Sequence, residues 1–257
     1  MRDYTLVMTA SVDPNGMADI SAESCNGRED QYIRTLKFYA AQECVPRILF
    51  VENSNWDLTR MRREVDSPKI EWLSLNANSY PREWGKGYGE MYIMDRAIDW
   101  IGNNGIGGIV VKVTGRFPVL NIKTMVRDFL NREPMLLSVD VVEHNLYKVI
   151  GKKWCSHGCR TIVYACACDF YMRNLYGRYV EIPSPFWGAE HLMRDVWEKN
   201  KDLPGVYPRH KHEPSLSGYA GAVNHAWITA NNYDSMLAKS KRMVKSVCRW
   251  VLPWLWI

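Results

Sequence analysis

Ile109–Asn121 reads IVVKVTGRFPVLN, and the fold turns on this stretch. Ile109-Val110-Val111 has the composition of a buried strand and runs directly into Lys112-Val113-Thr114-Gly115-Arg116. Two cations, a hydroxyl and a glycine are therefore predicted at the carboxyl end of an apolar strand. In an open α/β sheet that edge is where ligands bind. A cation pair beside a glycine, which lets backbone come close, suits a phosphate or diphosphate. The plainer alternative is a strand end with solvated charges.

Upstream of this stretch the pattern alternates. Thr5–Ala10 (TLVMTA) reads as a buried strand ending in the turn-rich Ser11–Gly16. Arg28–Glu43 carries apolar residues at Tyr32, Ile33, Leu36, Tyr39 and Ala40, a helical period. Arg47–Val51 is a second strand ending in Glu52-Asn53-Ser54-Asn55, and Asp57–Asp66 begins another helix. Lys69–Leu75 alternates as a third strand. The polar loop Asn76–Gly89 precedes an amphipathic helix over Glu90–Ile101. The first 121 residues thus read β-α-β-α-β-α-β, which predicts a mostly parallel sheet with helices on both faces. In such a sheet the strand-end loops Thr9–Asp13, Glu52–Asn55 and Lys112–Arg116 lie side by side.

The second half is less regular. Helices are predicted over Asn121–Asn131, Phe170–Tyr176 and Ala189–Lys199, strands over Met135–Val142 and Arg160–Ala167, and an extended segment over Tyr179–Ile182. Asp202–Gly221 reads as a long loop holding Arg209, His210, Lys211 and His212. No clean linker appears. One domain is expected over 1–235, with a nucleotide half (1–121) and an acceptor half (122–235), followed by a basic tail, 236–257.

Composition narrows the function. With 47% apolar and 24% charged residues the chain is globular rather than disordered. A net charge of +5 fits an anionic ligand or membrane surface but is too weak to argue for nucleic acid. Eleven Trp and fourteen Tyr suit a carbohydrate site or a membrane interface, and equally a core. The first ten residues lack the apolar core of a signal peptide and no run is long enough to span a bilayer, so a cytoplasmic location is expected. Seven cysteines, an odd number, fit a reducing compartment. Cys155, His157 and Cys159, followed by Cys166 and Cys168, could hold zinc, but buried or free thiols are the expected state.

There is no G-x-x-x-x-G-K-[ST], G-x-G-x-x-G, G-x-S-x-G or H-E-x-x-H. What remains, in order, is a first strand ending in Thr9-Ala10-Ser11, a second ending in Glu52-Asn-Ser-Asn55, Gly85-Lys-Gly-Tyr-Gly-Glu90 and then Lys112-Val-Thr-Gly-Arg-Phe117. That order resembles glycosyltransferases of the GT-A fold, a Rossmann-like α/β class. More narrowly it is similar to the small transferases of bacterial and viral surface-polysaccharide synthesis, over about residues 4–225.

The resemblance implies a nucleotide-sugar donor and a glycan or polyprenyl-linked acceptor. Thr9, Ala10 and Ser11 would line the nucleotide pocket, and Glu52, Asn53 and Ser54 would hold base and ribose. Lys86 and Gly87 would approach the sugar or diphosphate. Most GT-A members carry Asp-x-Asp at the end of the fourth strand, where it holds a divalent metal. Here Lys112, Thr114, Gly115 and Arg116 stand at that point, so no metal cofactor is expected, and Lys112 and Arg116 would neutralise the leaving group directly. Asp140 leaves a carboxylate open as a metal ligand. For an inverting transfer the acceptor's base is expected among Glu190, Asp169 and Asp140, with Glu190 first. The plainer account of Glu190 is an acid in a helix's first turn. Arg209, His210 and Lys211 would close over the diphosphate as a glycine-flanked lid, or form a solvated loop.

The tail reads separately. Wound as a helix, it sets Lys241, Arg242, Lys245 and Arg249 on one face and Leu237, Met243, Val244, Val247, Trp250 and Val251 on the other. It ends in Leu252-Pro-Trp-Leu-Trp-Ile257. Such a helix suits an anionic membrane surface, placing the protein at the inner face of a membrane; docking on the core or a second subunit is the alternative. Two further readings stay open: a nucleotidyl- or phosphosugar transferase on a similar sheet, and a non-catalytic nucleotide- or glycan-binding subunit of a membrane assembly.

Overall fold

In the computed structural model the described residues are 3–15, 24–142, 158–182, 188–217 and 235–251. The alternation of the first half takes shape as β1 (Tyr4–Ala10), α1 (Cys25–Ala40), β2 (Ile48–Glu52), α2 (Thr59–Glu64), β3 (Ile70–Ser74), α3 (Gly85–Asn103) and β4 (Ile109–Thr114). The second half contributes α4 (Ile122–Leu130), β5 (Leu137–Val142), β6 (Gly158–Ala167), α5 (Cys168–Asn174), α6 (Ala189–Asn200), β7 (Val206–Tyr207) and the tail helix α7 (Met236–Val251). Arg178–Glu181 forms a 3-10 turn where the sequence predicts an extended segment.

The strands form one sheet in the order β3-β2-β1-β4-β6-β5-β7. The first four are parallel, with Thr9 level with Val51 on one side and Thr114 on the other. β6 runs antiparallel to both β4 and β5, and β5 pairs parallel with β7. β1 is buried at every position, as expected of a central strand covered on both faces, and its apolar run reflects that.

Two cores sandwich the sheet. On one face α1 and α4 pack Tyr32, Leu36, Tyr39, Met125, Val126 and Phe129 against Leu6, Phe50, Val111 and Val113. On the other α3, α5 and α6 set Met94, Ile98, Phe170, Leu192 and Val196 against Val7, Val51, Val110 and Leu137. Strand periodicity decides which side chains meet which helix: Lys112 shares the α3 face with Val110, whereas Val111 and Val113 face α1.

The glycine-rich segment Gly85–Gly89, read as loop, is the first turn of α3. Tight packing accounts for part of it: a Cβ on Gly87 would lie 2.6 Å from the backbone nitrogen of Ala189, at the start of α6. The two helix N-termini therefore touch, and Lys86 and Glu190 are brought to the same edge.

Candidate active site

The carboxyl ends of β2, β1 and β4 border a cleft of about 330 Å³. Its floor is a set of loops tied to one another. Glu52 is wholly buried, and its carboxylate accepts from the backbone N–H groups of Val12 (3.0 Å), Ser54 (3.0 Å) and Trp56 (3.0 Å) and from the Ser54 hydroxyl. Ser54 Oγ in turn accepts from Asp13 N at 3.0 Å. Gly115 presses on the same floor: its N–H donates to the Thr9 carbonyl at 3.0 Å, and a Cβ there would lie 2.6 Å from that oxygen.

Two side chains of α1, one turn apart, strap the Ser11–Val12 backbone from the other side. Tyr32 Oη accepts from Ser11 N at 2.9 Å. The Arg28 guanidinium donates through Nε to the carbonyls of Ser11 and Val12 (both 3.1 Å) and through Nη2 to Ser11 at 2.6 Å. Both residues line the cleft.

Of the residues anticipated from sequence, the cleft brings together Thr9, Ala10, Ser11, Asn53, Lys86, Thr114, Arg116 and Glu190. Gly87 and Gly115 act behind it through the close approaches just described. Others are placed differently. Glu52 and Ser54 are spent on the loop framework, so they support the cleft wall instead of meeting a base or ribose. Lys112 is wholly buried and does not line the cleft. Its ammonium pairs with the Glu90 carboxylate and donates to the Thr161 carbonyl (2.7 Å) and Thr114 Oγ1 (3.2 Å). An ammonium with three partners below the surface cannot also meet a diphosphate, which corrects its expected role.

Asp169 is also corrected. It is exposed on α5, which follows Ala167, and Ala167 pairs with Ile109 at the first residue of β4. The cleft lies at Thr114, roughly 16 Å away by strand rise. Asp169 therefore sits at the opposite sheet edge and cannot serve as base. Asp140 is buried and paired with Arg160 at 3.3 Å, outside the cleft lining.

The Arg209–Lys211 segment is no lid. His210 is 2% exposed, with Nδ1 3.3 Å from Ser138 Oγ and Nε2 3.1 Å from the Val163 carbonyl. Arg132 holds the Arg209 carbonyl (3.1 Å) and Ser138 Oγ (2.8 Å) and lies over the Tyr207 ring. Lys211 stays exposed, away from the cleft lining. The strap continues to Ser217, its backbone pairing with Pro118 and Leu120; the expected glycines at 218 and 221 lie outside the described residues.

Several lining residues were not singled out from sequence: Arg28, Tyr32, Asn78, Tyr80, Glu90 and Phe117. Arg28 and Tyr32 had a usable signal, since their i, i+4 spacing puts both on one face at the start of α1. Burial pushes the Tyr80 phenol up to about 12, so it lines the cleft as a neutral hydroxyl at physiological pH.

The GT-A resemblance raises the question of a metal. The carboxylates lining the cleft are Glu90 and Glu190, and Glu90 is already paired with Lys112. Among the described residues no three His, Cys, Asp or Glu side chains form a metal-holding group. The donor set that the described residues bring to the cleft does not fit a resident ion. Cys159 and Cys166 are buried and Cys168 opens α5, while Cys155 and His157 lie outside the described residues.

No protein-family model matches the chain, and no curated protein matches it by sequence. Among solved structures it is similar to a Bacillus anthracis protein described as a glucose-1-phosphate thymidylyltransferase, crystallised with sucrose. The TM-score is 0.50 at 10% identity, covering 95% of each chain. A cytidylyltransferase from Leptospira borgpetersenii aligns at TM-score 0.45 and 12% identity, over 97% of this chain and 87% of that one. The glucosyl-3-phosphoglycerate synthase of Mycobacterium tuberculosis, in complex with Mn2+ and uridine diphosphate, aligns at 0.43 and 13%, over 80% and 67%. The last two scores carry no weight here. The first, with the observed sheet order, gives the fold alone: a mixed, mostly parallel α/β sheet flanked by helices, like that of the Bacillus anthracis protein.

Proposed function

We propose that this protein is a glycosyltransferase that moves a sugar from a nucleotide sugar to a glycan or lipid-linked acceptor, with inversion and without a metal ion. One observation carries the reading. A cleft at the strand ends combines hydrogen-bonding groups from β1 and β2 (Thr9, Ser11, Asn53) with the cations Lys86 and Arg116 and, from α6, the carboxylate of Glu190. The nucleotide lies along the β1 and β2 ends, and its diphosphate lies against Arg116 and Lys86. As the donor's bond from anomeric carbon to phosphate oxygen breaks, those cations take up the charge of the departing diphosphate. Glu190 removes the proton of the acceptor hydroxyl as its oxygen bonds to the anomeric carbon from the opposite side. Among the described residues Glu190 has no ion pair, while Glu90 is committed to Lys112. Lys112 thus acts one step back, by holding Glu90.

The tail helix supports an acceptor at a membrane surface. Met236, Leu237, Met243, Val244, Val247, Trp250 and Val251 are each more than half exposed along α7, which carries no acidic residue. Its cations and apolar stripe suit an anionic bilayer interface. No described helix is long and apolar enough to cross a membrane. The polysaccharide-synthesis role rests on the sequence resemblance.

Product analysis tests the proposal. Incubated with nucleotide sugars, acceptor and EDTA, the protein is expected to release nucleoside diphosphate. Pyrophosphate formed from a nucleoside triphosphate and sugar phosphate would point to nucleotidyl transfer, and no turnover with any donor would support a binding subunit.

A further inference from the structure

Buried polar atoms in a folded protein nearly always have partners, and a buried charge without one is costly. Two atoms of residues lining the cleft break this rule. Nη1 of Arg28 and Oδ1 of Asn53 are both buried and lack a hydrogen-bond partner. Arg28 is 4% exposed and Asn53 3%. Arg28 is the more informative. Its Nε and Nη2 are satisfied by the carbonyls of Ser11 and Val12, which are neutral, and it forms no ion pair among the described residues. Among the described residues, a guanidinium is therefore buried at the cleft with its Nη1 unpartnered and no carboxylate to balance its charge.

We propose that Arg28 is the residue that anchors an anionic phosphoryl oxygen of the nucleotide, through Nη1, while Asn53 Oδ1 accepts an N–H or O–H from the nucleoside part. This rests on the reading of the cleft as a nucleotide-sugar site, and it adds to that reading the cation that most strongly requires a charged ligand. Lys86 is exposed to solvent, whereas Arg28 has no counter-charge among the described residues and gains one from an anionic ligand. Its remaining donors already grip the Ser11–Val12 loop, so the guanidinium is held in place before binding. A charge-assisted bond of this kind favours nucleoside diphosphates over the matching nucleosides.

The test is a calorimetric comparison of UDP, GDP, CDP, ADP and dTDP with their nucleosides on the full chain, Arg28→Gln and Arg28→Lys. For the base that binds, the preference for diphosphate over nucleoside is expected to fall on the order of 10- to 100-fold in Arg28→Gln and to survive partly in Arg28→Lys. A merely structural strap would weaken nucleoside and diphosphate equally. An unchanged preference in Arg28→Gln, or in Arg28→Lys if the glutamine variant does not fold, overturns the proposal. If the wild type binds no nucleotide at all, the functional reading fails instead. Inorganic pyrophosphate then decides Arg28 separately: binding lost in Arg28→Gln upholds an anion site, and no binding by the wild type refutes it.

Discussion

The ammonium of Lys112, wholly buried near the end of β4, is joined to the carboxylate of Glu90 in the second turn of α3. The pair ties the central strand to the helix that carries Lys86, and it fixes Glu90 at the cleft wall. Lys112→Met is expected to lower stability by about 2–4 kcal/mol: breaking a buried pair costs more than an exposed one, discounted because Glu90 is partly exposed. Adding Glu90→Gln should recover part of that loss. Urea unfolding of the two single variants and the double variant measures the coupling, and strictly additive losses would show that the pair does not act as a unit.

Gly115→Ala tests the close packing beneath the nucleotide subsite. Its new methyl meets the Thr9 carbonyl at 2.6 Å and Tyr32 Cε1 at 2.8 Å, and the first contact is backbone that cannot swing aside. Overpacking of this kind costs about 1–3 kcal/mol. Because the displaced groups line the cleft, nucleotide affinity should fall with stability, as read by thermal melts with and without ligand.

Glu190 and Gly87 form a second test. Glu190→Gln is expected to cut turnover by roughly 10²- to 10⁴-fold with donor affinity intact, as for loss of a general base. Gly87→Ala would push on the Ala189 nitrogen and shift the start of α6, so it should reduce kcat without touching the acid itself. Single-turnover rates beside donor titrations separate the two effects.

Stability should also carry a signature of Asp95. Burial raises its carboxyl above the usual value, only partly offset by bonds from Gly177 N (2.7 Å) and Tyr171 Oη (2.9 Å). A raised folded-state pKa means stability that is fully present below the unfolded value of about 3.9 and is lost as pH rises through the higher folded value. Asp95→Asn should flatten that decline while costing about 1 kcal/mol, since one amide oxygen replaces two acceptors. Denaturation midpoints across the mildly acidic range give the comparison.

Much of this was legible in the chain. Apolar runs ending in polar loops were enough for the parallel direction of β1, β2, β3 and β4, because helices of fitting length separate them. Adjacency of the Thr9, Asn53 and Thr114 ends followed. Strand direction in the second half was not legible: nothing in RTIVYACA marks β6 as antiparallel, and that reversal carries Asp169 to the far edge. Lys112 looked like a ligand cation because its burial depends on α3 covering one face of β4, a tertiary fact. The Arg209–His212 stretch looked like a basic loop for the same reason, since its partners Arg132 and Ser138 lie more than seventy residues away. Arg28 was hidden in a helix start.

The central claim is that the cleft between β1, β2 and β4 holds a nucleotide sugar without a metal. The most direct measurement is a thermal-shift titration with nucleotide sugars and nucleoside diphosphates, in EDTA and again with added Mn2+. A selective, saturable rise in melting temperature for one base, undiminished by EDTA, is the predicted result. A rise that appears only with the metal would contradict the metal-free account, and none with any ligand would contradict the site itself.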